Sequence, residues 1–323
     1  MYKAFFNLAK NPFDLTPDPA FLFSTKRHNE ALAALYYGVR RHKGFVVVTG
    51  EVGTGKTLVL RCLLQLLRQS TDVAYAYLFN SLLSPAEFVQ YILADFGLPS
   101  SGKNKGEMLF ELSQFLIARG AKKLTTVLIV DEAHHLSAEI LEEIRLLTNI
   151  ETANDKLLQI VLVGQPELDD KLDSVGLRQL KQRIALRAGL DALNLSETKG
   201  YIERRLQVAG NDSQAAMLFP PQAIEMVYRK SRGFPRLINT ICENALITAY
   251  ARQIKNVTPG IVQSVAEELR LDVVHASGAQ REDVNGEKAI HEATNALLNL
   301  YAANDPSFGR GETVEVSENE PYI

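Results

Sequence analysis

An eight-residue run rich in glycine could bind phosphate groups. Residues 50–57 read GEVGTGKT and match the pattern G-x-x-x-x-G-K-[ST] in full. Glycines let the backbone point its N–H groups inward, and with the N-terminus of a following helix they form an anion site. Lys56 would reach the β- and γ-phosphates of a nucleotide, and the Thr57 hydroxyl would take one Mg²⁺ position. The residues predicted to hold the nucleotide are Gly50, Glu51, Val52, Gly53, Thr54, Gly55, Lys56 and Thr57.

A pair of carboxylates follows another apolar run. Asp131 and Glu132 come directly after residues 126–130, which read TVLIV. An acid at the end of a buried parallel strand lies at the carboxyl edge of the sheet, where a phosphate loop also lies. Asp131 is then placed to hold Mg²⁺ through water, and Glu132 to polarise an attacking water. Alternatively, the two acids could only stabilise the N-terminus of a following helix. The presence of a complete phosphate loop in the same sequence favours the metal and water roles.

The two motifs can meet only if the strands before them end at the same edge of one sheet. The pattern of the first 195 residues predicts such a sheet. Short apolar runs alternate with longer amphipathic stretches, which is typical of a parallel sheet covered by helices on both faces. The predicted strands are 45–49, 73–79, 126–130 and 158–163, with a weaker fifth at 184–190. The predicted helices are near 28–42, 55–69, 84–96, 106–120 and 137–150.

The pattern changes after residue 195. Four helical stretches follow without a further strand, and Ser196, Pro221 and Pro259 mark starts of helices. The sequence therefore predicts an α/β nucleotide-binding domain over 1–195 and an all-helical domain over 196–271. Residues 272–323 carry ten acidic and three basic residues and are predicted to be a largely disordered tail, with a possible short helix at 287–303.

Composition excludes several classes of protein. With 46% hydrophobic and 23% charged residues the chain has globular composition, and its net charge of −3 gives no global attraction to nucleic acid. Cys62 and Cys242 are too few for a disulfide framework and fit a reducing compartment. No signal peptide and no membrane-spanning run is evident. We therefore expect a cytoplasmic protein without direct membrane insertion, which a partner would recruit to the inner face of the membrane.

The order of these motifs resembles the branch of phosphate-loop ATPases that includes the AAA+ proteins. In that branch a strand lies between the two motifs, as residues 73–79 do here, and glutamate follows the metal aspartate. The resemblance implies three further roles: Gln165 as sensor 1, Arg183 as an arginine finger for a neighbouring subunit, and Arg236 of Gly233-Phe234-Pro235-Arg236 as sensor 2. Gln165 could instead be a solvated loop glutamine, and Arg183 an ordinary surface arginine; Arg178 is the second candidate for the finger. Gly233 to Arg236 could simply mark the start of a helix, with an arginine that has no role.

The N-terminal segment resembles one family within that branch. Residues 11–19 read NPFDLTPDP, and with residues 28–32, HNEAL, they look like the general secretion pathway protein A family, which includes the ATPase of MSHA pilus biogenesis. The resemblance covers residues 1–271 and implies an AAA+ module with a helical lid and with Pro12 and Phe13 near the adenine. The sequence departs from the secretion members in two ways. Those members often continue into a transmembrane helix and a peptidoglycan-binding domain, where this sequence has an acidic tail, and His134 stands where many relatives have glutamine.

Three functions compete on this basis. The first is a Mg²⁺-dependent ATPase, a homo-oligomeric ring or filament, which assembles or remodels a secretion, pilus or polysaccharide-export apparatus with a membrane-associated partner. The second is a DNA-associated ATPase of the transposition or loader type, for which residues 40–43, RRHK, and Lys122-Lys123 are the basic candidates. The third is a slow nucleotide switch that recruits a partner, with residues 287–303 as the recruiting helix.

Overall fold

The computed structural model describes residues 2–79, 83–152, 155–210 and 215–271, and a five-stranded parallel sheet lies at its centre. The strands are β1 (Phe45–Gly50), β2 (Val73–Leu78), β3 (Thr125–Val130), β4 (Gln159–Gly164) and β5 (Ile184–Leu190). Their order across the sheet is β2-β3-β4-β1-β5, and every neighbouring pair is parallel. The prediction of a parallel five-stranded sheet is confirmed, including its weaker fifth strand.

The strand order places the two predicted motifs on either side of β4. The phosphate loop follows β1 and the acid pair follows β3, and β4 pairs with both of these strands. Parallel strands end at the same edge of a sheet, so the residue after β4 lies between the two motifs. That residue is Gln165.

Twelve α-helices occur among the described residues, and most begin at signals visible in the sequence. At residue 84, for example, the Ser84 hydroxyl accepts from the backbone N–H of Glu87 while the Glu87 carboxylate accepts from the backbone N–H of Ser84, which is a capping box. The helices are α1 (Lys26–Arg40), α2 (Lys56–Arg68), α3 (Pro85–Asp95), α4 (Lys105–Ala121), α5 (Ala138–Leu147), α6 (Glu167–Leu172), α7 (Arg178–Lys181), α8 (Leu195–Val208), α9 (Ala215–Leu218), α10 (Pro221–Ser231), α11 (Pro235–Ala251) and α12 (Pro259–Glu268). The short helices α6, α7 and α9 were not predicted, because four to six residues carry too little periodicity.

Each face of the sheet carries its own apolar core. Along β1 the side chains alternate, so that Val47 packs in the core that contains α3, α4 and α5, while Val46 and Val48 pack in the core that contains α1 and α2. Helices on both faces therefore fix the sheet, as the continuous apolar strands predicted. None of the helices in the described part of the chain has the length and apolar character that a membrane span requires.

Helices α8, α10, α11 and α12 form a third core, and the N-terminal segment of the chain packs into it. Phe13 is fully buried there, with its ring centroid 5.7 Å from that of Phe219, and the Tyr2 hydroxyl donates to the carboxylate of Glu243. The first helix of this unit, α8, begins at Leu195 with Asn194 as its N-cap, close to the predicted boundary at residue 195. Residues 2–13, however, pack in the core of this helical unit, whereas the prediction assigned them to the sheet domain, 1–195. The predicted tail, 272–323, and its helix, 287–303, lie outside the described residues.

Candidate nucleotide site

The loop between β1 and α2 has the backbone that the glycine pattern predicts. Gly53 and Gly55 have φ of 85° and 102°, a region that favours glycine, and Gly55 is the residue that precedes α2. The Lys56 side chain is buried, and its Nζ donates to the carbonyls of Gly50 at 2.6 Å and Glu51 at 3.0 Å. Burial lowers the pKa of Lys56, while the charges of Glu132 and Asp131 counteract that effect. The ammonium group therefore already lies among the groups predicted to surround a triphosphate.

A buried histidine, His28, contacts the backbone of this loop, and no sequence motif predicted this contact. His28 Nε2 lies 3.0 Å from the carbonyl oxygen of Thr54, and His28 Nδ1 lies 2.7 Å from the hydroxyl of Thr25. Burial lowers the pKa of His28, so the neutral ring donates from Nε2 to Thr54 and accepts from Thr25 at Nδ1. A Cβ added at Gly55 would lie 3.0 Å from the ring, which shows how closely the histidine supports the loop.

Asp131 and Glu132 follow β3 directly, and their side chains lie in different environments. Asp131 is buried, and its carboxylate accepts from the Tyr77 hydroxyl and from the backbone N–H of Glu132, both at 2.9 Å. Burial raises the pKa of Asp131 and the two hydrogen bonds lower it in part, while burial and Asp131 raise the pKa of Tyr77. Glu132 has φ of 50° and an exposed fraction of 44% for its side chain, yet its Oε2 is buried without a hydrogen bond. Tyr77 orients Asp131, and no sequence pattern indicated that role.

Gln165 lies where the strand order requires it, beside the acid pair. Its side-chain Nε2 is 2.8 Å from Nε2 of His134, and its backbone N–H donates to Nδ1 of the same ring at 3.3 Å. His134 Nδ1 in turn lies 3.4 Å from the free Oε2 of Glu132. The predicted sensor 1 residue and the predicted base thus contact the same histidine.

Arg236 reaches the phosphate loop from the helical unit. Its backbone N–H donates to the carbonyl of Gly53 at 3.2 Å, and a Cβ added at Gly53 would lie only 2.8 Å from the Cβ of Arg236. Gly233 makes this approach possible, since it has φ of 79° and a Cβ there would lie 1.8 Å from the carbonyl oxygen of Leu193. The N-terminus of α11 and the exposed Arg236 side chain therefore stand directly above the loop.

Arg183 lies away from this group. It precedes β5, whose first residue pairs with Phe45 at the start of β1, so Arg183 stands at the amino edge of the sheet. Its guanidinium donates to the carbonyl of Arg145, the hydroxyl of Thr148 and the side chain of Asn149. The runner-up, Arg178, begins α7 and is exposed.

The segment predicted to lie near the adenine is buried. Both Pro12 and Phe13 are buried, and the carbonyl of Pro12 accepts from Arg205 Nε at 2.5 Å. The Phe13 ring packs on Phe219 and has no exposed face for a base to stack on. The Phe13 ring therefore belongs to the core of the helical unit, and the position of Pro12 and Phe13 near the adenine stays a prediction.

The donor groups fit Mg²⁺ and a nucleoside triphosphate. Thr57 and Asp131 offer hydroxyl and carboxylate oxygens, which Mg²⁺ prefers, and two protein oxygens leave positions for phosphate and water. The buried Lys56 and the glycine turns, where Arg236 leaves no room for a Cβ, form a cradle for anions. Within the described residues no cluster of three or more His, Cys, Asp or Glu side chains forms a self-sufficient metal site.

Comparisons with known proteins show which proteins this chain resembles. A family model described as "AAA domain" matches residues 39–172. The chain is 44% identical to general secretion pathway protein A of Aeromonas hydrophila over 270 residues, which are 83% of this chain and 48% of that protein. It is 26% identical to ATP-dependent target DNA activator B of Escherichia phage Mu over 235 residues, 72% of this chain and 68% of that protein. The chain thus spans about half the length of the Aeromonas relative.

The solved structures support the fold. The ORC2 protein of Aeropyrum pernix, solved as ADPNP–ADP complexes, matches with a TM-score of 0.60 and 18% identity over 80% of this chain and 71% of that one. At this identity the match shows a shared fold only, and it confirms the predicted AAA+ architecture of a sheet domain followed by a helical lid.

Proposed function

Since this chain belongs to the AAA+ proteins and is related to general secretion pathway protein A, we propose that it binds ATP with Mg²⁺ and hydrolyses it to ADP and phosphate. The observation that carries this proposal is the meeting of Lys56, Asp131, Glu132 and Arg236 at one edge of the sheet. Lys56 would pair with the phosphates of a bound nucleotide, and Mg²⁺ would pair with the carboxylate of Asp131.

The residues divide the work as follows. The loop N–H groups and Lys56 would bind the phosphates, and Thr57 and Asp131 would hold Mg²⁺, which would neutralise negative charge on the phosphates. Glu132 takes up a proton from the attacking water as general base. Gln165 helps to position that water, and Arg236 links the γ-phosphate to the helical lid through the contact with Gly53.

We further propose that the active form is a homo-oligomer, a ring or a filament. Arg183 stands at the amino edge of the sheet, and a six-residue strand such as β1 is roughly 20 Å long, so Arg183 cannot reach its own loop. A neighbouring copy could place Arg183, or Arg178, against the γ-phosphate. An arginine supplied in this way stabilises the charge of the transition state.

The biological role that we propose is assembly or remodelling of a secretion, pilus or polysaccharide-export apparatus at the inner face of the membrane, through a membrane-associated partner protein. The support is the 44% identity to general secretion pathway protein A. Because the chain spans about half of that relative, the role of the whole relative is carried over here as a proposal.

The substitution Glu132→Gln tests the hydrolytic part. The amide keeps the shape of the side chain but cannot take a proton, so turnover should fall by about 10²–10⁴-fold while nucleotide affinity stays within about twofold. Turnover is measured by phosphate release, and affinity by titration with a fluorescent ATP analogue and Mg²⁺. Unchanged turnover would contradict the role of Glu132, and a wild-type protein without affinity for Mg²⁺–ATP would overturn the whole proposal.

A second candidate function, ATP-dependent association with DNA, has its own support. The phage Mu relative is a target DNA activator. The hydrogen bond of 3.1 Å between His42 and Thr125 brings the two basic segments near each other at the amino edge of the sheet. Arg40 is paired with Asp72, and the other exposed bases of this surface are Arg41, Lys43, Lys122 and Lys123.

A salt-dependent mobility shift separates the two candidates. If the surface follows a phosphate backbone, replacing Arg41, Lys122 and Lys123 by Ala should weaken binding to duplex DNA and reduce the salt slope by about 3. The matched control removes three exposed charges elsewhere, at Lys26, Lys199 and Arg229. Absence of any shift at low salt with ATP present would dismiss this candidate, and equal weakening by the control would show an effect of net charge alone.

A further inference from the structure

The short helix α6 begins just after Gln165 and lies close against the end of β4. The carbonyl of Gln165 accepts from the backbone N–H of Leu168 at 2.8 Å, so Gln165 is bonded to the first turn of the helix. The Leu168 side chain is fully buried, and a Cβ added at Gly164 would lie 3.0 Å from it and 3.1 Å from the backbone nitrogen of His134. The position of α6 therefore sets the position of Gln165.

Two charged side chains flank the buried face of this helix. Leu168 and Leu172 pack in the core that contains α3, α4 and α5, and they define that face. Asp169 and Lys171 are two positions apart, which is about 200° around a helix, so they lie on either side of the leucines. One short helix can therefore contact two different parts of the carboxyl edge of the sheet.

Asp169 joins α6 to two strands of the sheet. Its Oδ2 accepts from the hydroxyl of Thr49 at 2.7 Å, and its Oδ1 accepts from Nη1 of Arg187 at 2.7 Å. Thr49 lies in β1 and directly precedes Gly50, the first residue of the phosphate loop, while Arg187 lies in β5. Through one carboxylate, α6 is thus fastened to the strand that leads into the loop.

The way in which Asp169 divides its oxygens favours position over the strength of the ion pair. An arginine and a carboxylate pair most strongly when both oxygens accept from the same guanidinium. Here Arg187 has only one of the two oxygens, and its Nη2 is buried without a hydrogen bond. The other oxygen is bonded to Thr49, so the arrangement holds α6 against β1 instead of completing the pair with Arg187.

Lys171 joins α6 to the turn that follows the acid pair. Its Nζ donates to the carbonyls of His134 and Leu136 at 2.6 and 2.7 Å. This turn begins at Glu132, where φ is 50°, and residues Ala133–His135 form a single 3₁₀ turn. The helix that continues from Gln165 therefore also holds the backbone that carries the predicted base.

We propose that Asp169 and Lys171 are positioning residues for ATP hydrolysis, an inference that rests on the proposed ATPase function. Asp169 fixes Gln165 with respect to the phosphate loop, and Lys171 fixes the turn of Glu132 with respect to the same helix. Both act through Gln165 and Glu132, and neither contacts a reacting atom. In this way α6 keeps the predicted sensor and the predicted base at set distances from the γ-phosphate.

Hydrogen exchange tests the attachment of α6 without any nucleotide. Nuclear magnetic resonance reports the exchange rate of the backbone N–H of Leu168, which donates to Gln165. In Asp169→Ala this rate should rise by about 10-fold, because the helix opens away from β1 more often once both bonds to the carboxylate are lost. Asp170→Ala removes an exposed acid from the same helix and should leave the rate unchanged. An unchanged rate in Asp169→Ala, or an equal rise in Asp170→Ala, would overturn the proposal.

Turnover and nucleotide affinity test the catalytic consequence of Asp169. Asp169→Ala should lower kcat by about 10-fold with affinity within about twofold of wild type, because a small misplacement of groups around the reacting atoms lowers the rate without removing a phosphate contact. Thr49→Val keeps the branched shape but loses the donor and should also lower kcat, whereas Thr49→Ser keeps the hydroxyl and should not. The side chains of Arg187 and Asp169 are 31% and 32% exposed, so the fold should remain stable in these variants.

Lys171 is tested by a matched pair of variants. Lys171→Ala should lower kcat by about 10-fold with affinity within about twofold of wild type, since the turn of Glu132 loses both donors. Lys171→Arg keeps a long cationic donor and should recover most of kcat. Equal losses of kcat in the two variants, or a loss of affinity that accounts for the loss of turnover, would contradict the positioning role of Lys171.

The same set of variants shows which claim has failed. Unchanged kcat in Asp169→Ala, with an active wild type, would reject the role of Asp169 alone. If Asp169→Ala lowered kcat by the same factor in a Gln165→Ala background, the action of Asp169 through Gln165 would be rejected. An inactive wild type would reject the ATPase proposal, and hydrogen exchange at Leu168 would still decide whether Asp169 holds α6 against the sheet.

Discussion

Arg236 and Arg183 were both assigned to the γ-phosphate, and the structure places them at opposite edges of one sheet. Arg236 contacts the phosphate loop of its own chain through Gly53, because the helical unit folds back over the carboxyl edge. Arg183 stands at the amino edge and is held by three hydrogen bonds to the end of α5 and the residues that follow it. One arginine can therefore serve the site within the chain, while the other can serve a site only in a second copy.

The largest expected effect comes from Arg183→Ala. If a neighbouring copy supplies this arginine, turnover should fall by about 10³-fold, because the transition-state charge loses its external cation. A mixture with Lys56→Ala should restore part of the activity, since the Lys56→Ala copy still offers Arg183 to an intact phosphate loop. Phosphate release by the single variants and the mixture is the measurement, and Arg178→Ala, measured beside them, decides which of the two arginines is the finger.

A mixture without recovery would show that Arg183 acts within its own chain. Denaturant unfolding of Arg183→Ala is needed beside it, because the three hydrogen bonds of this arginine also join α5 to β5. If Arg183→Ala lowers the free energy of unfolding enough to account for the lost turnover, Arg183 stabilises the fold and has no demonstrated role in hydrolysis.

Arg236→Ala should have the next largest effect, about 10²-fold on turnover. Its guanidinium contributes only within the chain, so mixing with Lys56→Ala should give no recovery, in contrast to Arg183→Ala. Recovery in the mixture would contradict the comparison between the two arginines. Arg232→Ala, an exposed arginine just before Gly233, is the control on the same unit.

Gly53→Ala tests whether nucleotide binding depends on the close contact between the phosphate loop and the helical unit. The new Cβ would lie 2.8 Å from the Cβ of Arg236, and the φ of 85° is unfavourable for alanine by about 1–2 kcal/mol. The lid helix has to move away, so nucleotide affinity should fall by about 10-fold, as measured by titration with the fluorescent analogue. Gly102→Ala is the control, since it has φ of 75° but no atom within 4 Å of the added Cβ. Equal losses in both variants would show that strain, and not the contact with Arg236, is responsible.

The smallest expected effect concerns His28. His28→Ala removes the donor to the Thr54 carbonyl and should weaken nucleotide affinity by a few fold, whereas His28→Gln keeps an amide donor and should recover most of it. Burial lowers the pKa of His28, so the unfolded state binds the proton more readily, and stability falls as the pH drops below about 6.5. Thermal unfolding between pH 7.5 and 5.5 should therefore depend less on pH in His28→Gln than in the wild type. An equal slope in both would contradict a buried neutral histidine.

The local sequence carried much of the fold and of the site. The glycine run and its flanking strand and helix predicted the phosphate loop with its residues, because the backbone conformations at Gly53 and Gly55 favour glycine. The apolar run before Asp131 predicted a buried strand that ends at the acid pair. Each of these features is a property of neighbouring residues, so a single sequence suffices to predict it.

Contacts between distant segments could not be predicted in the same way. Nothing in the sequence around His28, Tyr77 or His134 distinguishes a histidine or tyrosine that supports the site from one that simply fills a core. The same holds for Phe13: the family resemblance implies a segment near the adenine, and only the structure shows that the Phe13 ring packs in the core of the helical unit. These residues acquire a role only when segments far apart in the chain pack together.

By itself the sequence determined that a triphosphate-binding loop and a pair of acids end neighbouring parts of a parallel sheet, since backbone torsion and hydrophobic periodicity are local. Only the tertiary structure decided that β4 separates the two motifs, that the lid brings Arg236 over Gly53, and that Arg183 is turned away from its own loop. The order of strands and the return of the lid depend on packing over the whole core, which residue spacing does not encode.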